Sequence, residues 1–136
     1  MNIITEVKKL DLPLGQYVVI GSGIMAQLGL REANDVDIAV TANLYAKLRA
    51  SHEWEEEERY GKIFLKKDVV EINPRLDWES YSTTAEEAIA SATIFDGVPF
   101  MNLNELLTFK RALGREKDLR DIVVLEEYLA GRVDNA

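Results

Sequence analysis

The chain has 136 residues with a formal net charge of −8, 29% charged and 47% hydrophobic residues and no cysteine. That length predicts one domain, residues 1–136, with a sizeable core and no room for a separate acceptor-binding domain, and the acidic balance argues against a protein that coats nucleic acid. Without cysteine there is neither a disulfide framework nor a thiolate metal site; with no signal-peptide layout at Met1–Lys9 and no apolar run of membrane-spanning length, a soluble cytoplasmic protein away from the membrane is expected.

Residues 1–10 predict an amphipathic helix, stopped by Leu12-Pro13-Leu14-Gly15. Tyr17-Val18-Val19-Ile20 is an apolar, β-rich run, Gly21-Ser22-Gly23 breaks it, and Ile24-Met25-Ala26-Gln27-Leu28 opens a helix with room for about two turns before Asp35. Asp35 to Val40 predicts a second strand, and Thr41 to Ser51 a helix packing Leu44, Tyr45 and Leu48. Trp54–Arg59, Lys62–Lys66 and Val69–Asn73 predict a three-stranded meander, turned at Tyr60-Gly61 and Lys67-Asp68, with Glu71 central. Helical pattern returns at Thr83, whose spacing to Glu86 makes a capping box, and at Asn102 with Glu105; Asp96-Gly97 marks a tight turn, and Val133 to Ala136 are expected to fray. The fold class expected is α/β (α+β), a mixed central sheet flanked by helices with further helices at the C-terminal end.

Strand, glycine turn and helix start make a phosphate-binding layout, because glycine lets the backbone approach an anion and the helix start presents unpaired N–H groups. On its own such a turn is more often plain topology. The strand that follows adds chemistry. Alternate side chains share a face, so Asp35 and Asp37 point one way while Val36, Ile38 and Val40 face the core, and the two carboxylates sit with Cα atoms roughly 7 Å apart. A solvated strand face is the alternative, although strands are depleted in Asp. Glu71 is a third acid, alone in the apolar run Val69-Val70-Glu71-Ile72; it either completes a three-carboxylate cluster suited to two-metal phosphoryl transfer or lies on the outer face of an edge strand.

A Gly-Ser turn, a helix, an Asp-x-Asp strand and a single acid on a later strand together resemble the nucleotidyltransferase superfamily, which shares the fold of DNA polymerase beta and kanamycin nucleotidyltransferase. The segment from Leu103 to Ile122, with Lys110, Arg115, Lys117-Asp118 and Asp121, is similar to small bacterial minimal nucleotidyltransferases related to AbiEii-type proteins, and the matching stretches span about residues 17 to 125. The resemblance implies that Gly21 and Ser22 contact a triphosphate, that Asp35 and Asp37 bind Mg²⁺ or Mn²⁺, and that Glu71 is the third catalytic acid and metal ligand. Lys110, Arg115 and Asp118 are secondary nucleotide-binding candidates. The implied reaction moves a nucleoside monophosphate from an NTP to a hydroxyl on a small molecule, an RNA end or a protein side chain.

The remaining prominent residues have plainer readings. Arg111 and Lys117 read as a solvated, salt-bridged face, while Arg115 fits either role. Arg31 reaches phosphate or forms a surface ion pair with Glu32. Glu55 to Glu58 reads as a solvated edge, His52 as a helix-end surface residue, and Trp54 and Trp78 as core or rim, with Trp78, Arg75 and Asp77 near enough to Glu71 to line an acceptor pocket. The alternative function is a non-catalytic nucleotide-binding or antitoxin-like regulatory module of the same fold, with a homodimer or a toxin/antitoxin partner completing the cleft.

Overall fold

The computed structural model describes residues 1–76 and 83–134, the last three by backbone alone. Helix α1 (Ile3–Lys8) is capped by the Asn2 side chain, which accepts the Thr5 N–H, and buries Ile3, Ile4 and Val7. Strand β1 (Tyr17–Ile20) is buried along its whole length, and α2 (Gly23–Gln27) begins on top of it. A Cβ at Gly23 would lie 2.5 Å from Val19 Cγ1, so only glycine lets the helix start that close to the strand.

Strand β2 (Val36–Val40) follows, then α3 (Ala42–Ala50), capped by Thr41, which buries Leu44 and packs Tyr45 and Leu48 against the core as the spacing predicts. Strands β3 (Glu55–Arg59), β4 (Lys62–Lys67) and β5 (Val70–Asn73) form the expected meander. Helix α4 (Ala85–Ala90), the hairpin of β6 (Thr93–Phe95) and β7 (Val98–Phe100), α5 (Leu103–Leu113) and α6 (Glu116–Asp134) complete the chain. Tyr60-Gly61 and Asp96-Gly97 each place two successive residues at positive φ (56° and 72°, 49° and 79°), the type I′ geometry that matches strand twist in two-residue hairpins.

Two local expectations are corrected. The cap of α4 is Thr84, whose hydroxyl accepts the Glu87 N–H, while Thr83 donates to the Glu87 carboxylate, so the capping pair lies one residue later than Thr83 and Glu86. Helix α6 runs through Asp134, so the backbone is still helical at Val133 and Asp134, where the sequence predicts fraying, and residues 135 and 136 lie outside the described residues. Asn102 caps α5 as expected, accepting the Glu105 N–H at 2.8 Å.

The seven strands lie in the order β3-β4-β5-β2-β1-β7-β6, with β2–β5 and β1–β7 parallel and the other neighbours antiparallel. This is a mixed sheet with helices against it, an α+β arrangement. Val36, Ile38, Val70 and Ile72 go to the core, and the residues alternating with them, Asp37, Glu71 and Asn73, are turned the other way. Among the described residues no helix is long and apolar enough to cross a membrane.

Candidate functional site

The eight residues singled out from the sequence, Gly21, Ser22, Asp35, Asp37, Glu71, Lys110, Arg115 and Asp118, all line one cleft of about 360 Å³. Its floor is set by sheet register. Asp37 on β2 is paired with Ile20 of β1 on one side and with Glu71 of β5 on the other, so the two acids sit on adjacent strands roughly 4.8 Å apart in the backbone. Asp35 stands just ahead of β2, exposed at the lip. Gly21 has φ +65°, and a Cβ there would come 3.1 Å from Asp37 Oδ2; the bare glycine lets the carboxylate lie directly against the turn. Burial pushes the Asp37 carboxyl up to about 6, and the charge of Asp35 adds to the rise, against the opposing pull of Arg59, Lys117 and Lys110.

Glu71 has a different neighbour. The guanidinium of Arg59, at the end of β3, forms an ion pair with it, approaches Glu57 at 3.2 Å, and lies 4.3 Å above the Phe64 ring. Arg59 Nε and Nη2 are buried, and among the described residues neither has a hydrogen-bond partner of regular geometry; ionic and cation–π attraction hold the group. With Glu71 engaged in this way, no three Asp, Glu, His or Cys side chains among the described residues are arranged as a metal-binding group.

Helices α5 and α6 bring a second set of acids to the same cleft. Lys110 on α5 is only 4% exposed, and its ammonium lies 2.9 Å from Asp121, 3.6 Å from Asp118 and 3.5 Å from Ser22 Oγ. Asp118, 1% exposed, accepts from Arg115 Nε at 2.7 Å, from Nη2 at 3.1 Å and from the Arg115 backbone N–H at 3.1 Å. The last bond ties the first turn of α6 to the residue before it, as the acid of a capping box does. Asp121 receives Arg31 Nη1 at 2.6 and 2.8 Å. Burial alone would raise both carboxyls, but the hydrogen bonds from Arg115 to Asp118, and from Lys110 and Arg31 to Asp121, hold each below the usual carboxylate range. Both oxygens of each acid are occupied, so Asp118 orients Arg115 and Lys110.

Some expectations fall elsewhere. Lys117, read as solvated face, lines the cleft and acts electrostatically on Asp37. Arg111 is on the surface as expected, 3.3 Å from Glu126. Arg31 reaches across to Asp121 instead of pairing with the Glu32 carboxylate. His52 is exposed beyond α3, and Trp54 packs against the core with the Lys67 ammonium 5.4 Å from its ring. Glu55 to Glu58 form the sheet edge. Arg75 lines the cleft, while Asp77 and Trp78 lie outside the described residues. Sequence reading missed Arg59. The available signal was period-2 placement of Glu57, Arg59, Lys62 and Phe64 on a hairpin whose next strand carries Glu71.

Chemically the cleft combines hard carboxylate oxygens with an excess of cations, seven Lys or Arg side chains against five carboxylates. Asp37, largely buried, with the exposed Asp35 just ahead of it, offers hard carboxylate oxygens of the kind that would suit a divalent cation, and Glu71 would join them if it left Arg59. The cationic wall suits a polyanion. No protein-family model, curated protein or solved structure matches the chain.

Proposed function

We propose that the protein is a cytoplasmic, metal-dependent nucleotidyltransferase with the nucleotidyltransferase fold, moving a nucleoside monophosphate from an NTP to a hydroxyl. The observation that carries this reading is the convergence, in one cleft, of a glycine turn, the Asp35–Asp37 pair, Glu71 on the neighbouring strand and the Lys110–Arg115 wall. Mg²⁺ or Mn²⁺ held by Asp35 and Asp37 would supply charge neutralisation at the transferred phosphoryl group. The chain's own residues do the rest. The Gly21-Ser22 turn allows close approach of phosphate oxygens, and Lys110 and Arg115, fixed by Asp118 and Asp121, offset polyphosphate charge. The acceptor oxygen forms a bond to the α-phosphorus as the bond to the bridging oxygen breaks; pyrophosphate leaves, and the hydroxyl proton passes to Glu71.

One observation favours the alternative of a non-catalytic or antitoxin-like nucleotide-binding module. Arg59 neutralises Glu71 from within the chain, which is compatible with binding and unhelpful to proton transfer. Calorimetry with ATP in Mg²⁺ and in EDTA, followed by incubation with labelled NTP and cell extract, separates the readings. The transferase is expected to bind ATP clearly only with Mg²⁺ and to label an acceptor, and Asp37→Asn to abolish labelling while remaining folded. Equal ATP affinity in both buffers removes the metal site; metal-dependent binding without labelling supports the module.

A further inference from the structure

A second groove opens beside the cleft, between the segment joining α2 to β2 and the start of α6. Leu30 and Arg31 form one wall, and Lys117, Arg120 and Val124 of α6 form the other. Arg31, Arg115, Lys117 and Asp121 also line the cleft, so groove and cleft run into each other. The groove is lined by four cations, Arg31, Arg115, Lys117 and Arg120, and by two acids, the exposed Glu116 and the buried Asp121, and Asp121 already shares its charge between Lys110 at 2.9 Å and Arg31 at 2.6 Å, leaving a cationic excess.

Two of these cations stand out. Lys117 and Arg120, three residues apart and so on one face of α6, have no ion-pair or hydrogen-bond partner among the described residues. In a chain with 24 acidic and 16 basic residues, acids are in excess, yet these two neighbouring cations are left unpaired at the mouth of the cleft. A guanidinium fork matches phosphate oxygens two at a time, and Arg31 and Arg115 are pre-oriented by their carboxylates. Among the described residues no aromatic side chain lines the groove, which gives the bases of a single strand no stacking platform there, and its aliphatic Leu30 and Val124 suit a short carbon skeleton. The overall charge of −8 disfavours a long polyanion.

We propose that this groove binds the phosphate of a small phosphorylated acceptor, a phosphomonoester whose hydroxyl is presented to the cleft. The acceptor role rests on the transferase reading above. The hydroxyl oxygen bonds to the α-phosphorus of the NTP, pyrophosphate departs, the proton goes to Glu71, and the product is a phosphodiester that keeps the acceptor's own phosphate in the groove.

Glycerol 3-phosphate is a suitable probe, with glycerol and glycerate as controls, titrated calorimetrically into the full chain and into Arg120→Ala and Arg120→Glu. Arg120 is exposed and lines the groove but not the cleft, and melting curves confirm folding of the variants. The expected result is glycerol 3-phosphate binding that weakens about tenfold in Arg120→Ala and disappears in Arg120→Glu, with no glycerol binding and much weaker glycerate binding. Absence of glycerol 3-phosphate binding to the unmodified chain, or equal binding by Arg120→Glu, overturns the site. Glycerate binding as tightly overturns the phosphate class, and an RNA oligonucleotide that alone loses affinity in Arg120→Glu overturns the small acceptor. ATP with Mg²⁺ is titrated separately: if it fails to bind while glycerol 3-phosphate binds Arg120-dependently, the transferase reading falls and the groove loses its acceptor role while remaining a phosphate site.

Discussion

The cleft holds two sets of carboxylates that differ in how their charge is met. Asp118 and Asp121, on α6, are almost fully buried, have cations on both oxygens and titrate below the ordinary range. Asp37 on β2 and the exposed Asp35 just ahead of it have no ion-pair or hydrogen-bond partner among the described residues, and burial, with the charge of Asp35 adding to it, raises the Asp37 carboxyl to about 6. The first set is internally satisfied; the second is not. A buried acid that completes its own hydrogen bonds stabilises geometry, whereas a buried acid raised by a neighbouring like charge is the pattern that clusters at functional sites. The same cleft thus contains a satisfied set that fixes Lys110, Arg115 and Arg31, and a separate acid, Asp37, on which Lys110 also acts electrostatically.

Removing the central cation of the satisfied set has the largest expected effect. Lys110→Met leaves Asp118 and Asp121 buried with fewer partners, and urea denaturation should show a loss of roughly 3–5 kcal/mol. A variant as stable as the natural chain would break the contrast by making the α6 acids indifferent to their cation.

Asp37→Asn should move stability in the opposite direction. The folded carboxyl, at about 6, lies above its unfolded value near 3.9, so the folded state holds more protons across that window and stability falls as pH rises through it. Asparagine removes that penalty, up to about 3 kcal/mol at pH 7. The gain over the natural chain, followed by thermal unfolding, should shrink as pH falls and vanish below about pH 3, under both carboxyl values. Asp118 and Asp121 have the reverse sign. Their folded values are lowered, so their stabilisation is present at neutral pH and is lost as pH falls below the ordinary carboxylate range. If Asp37→Asn destabilises at pH 7, Asp37 belongs with the satisfied acids.

A surface pair sets the floor of the comparison. Arg111 and Glu126 meet at 3.3 Å with both side chains about half exposed, so Arg111→Ala should change stability by no more than about 0.5 kcal/mol in the same assay. A larger loss would mean that exposure is a poor guide to which charges on α5 and α6 matter.

Much of the site was legible because its signals are local. Asp35, Asp37 and Glu71 announce themselves by interrupting β-branched runs, and alternation alone assigns Asp37 and Glu71 to the face opposite Val36, Ile38 and Ile72. Gly21 and Gly23 stand between an apolar run and a helix, and Asn102 announces its helix three residues before Glu105. Thr83 and Thr84 show where local reading blurs. Both precede a Glu at cap spacing, and only the backbone decides that Thr84 is the cap.

What the linear pattern does not contain is partnership between distant elements. Arg59 meets Glu71 because of the registers of β3 with β4 and of β4 with β5, and Arg31 meets Asp121 across 90 residues of chain. Lys117 reads as solvent face because its sequence neighbours are charged, and becomes cleft wall because the start of α6 brings it near enough to act on Asp37. By itself the sequence determined which residue types occur, their periodicity and hence the strands, helices and turns, since these follow from interactions within a few residues. The tertiary structure alone decided which charges neutralise one another, because a Coulombic pair depends on distance and burial, and both are created only when the sheet and the last two helices close around the cleft.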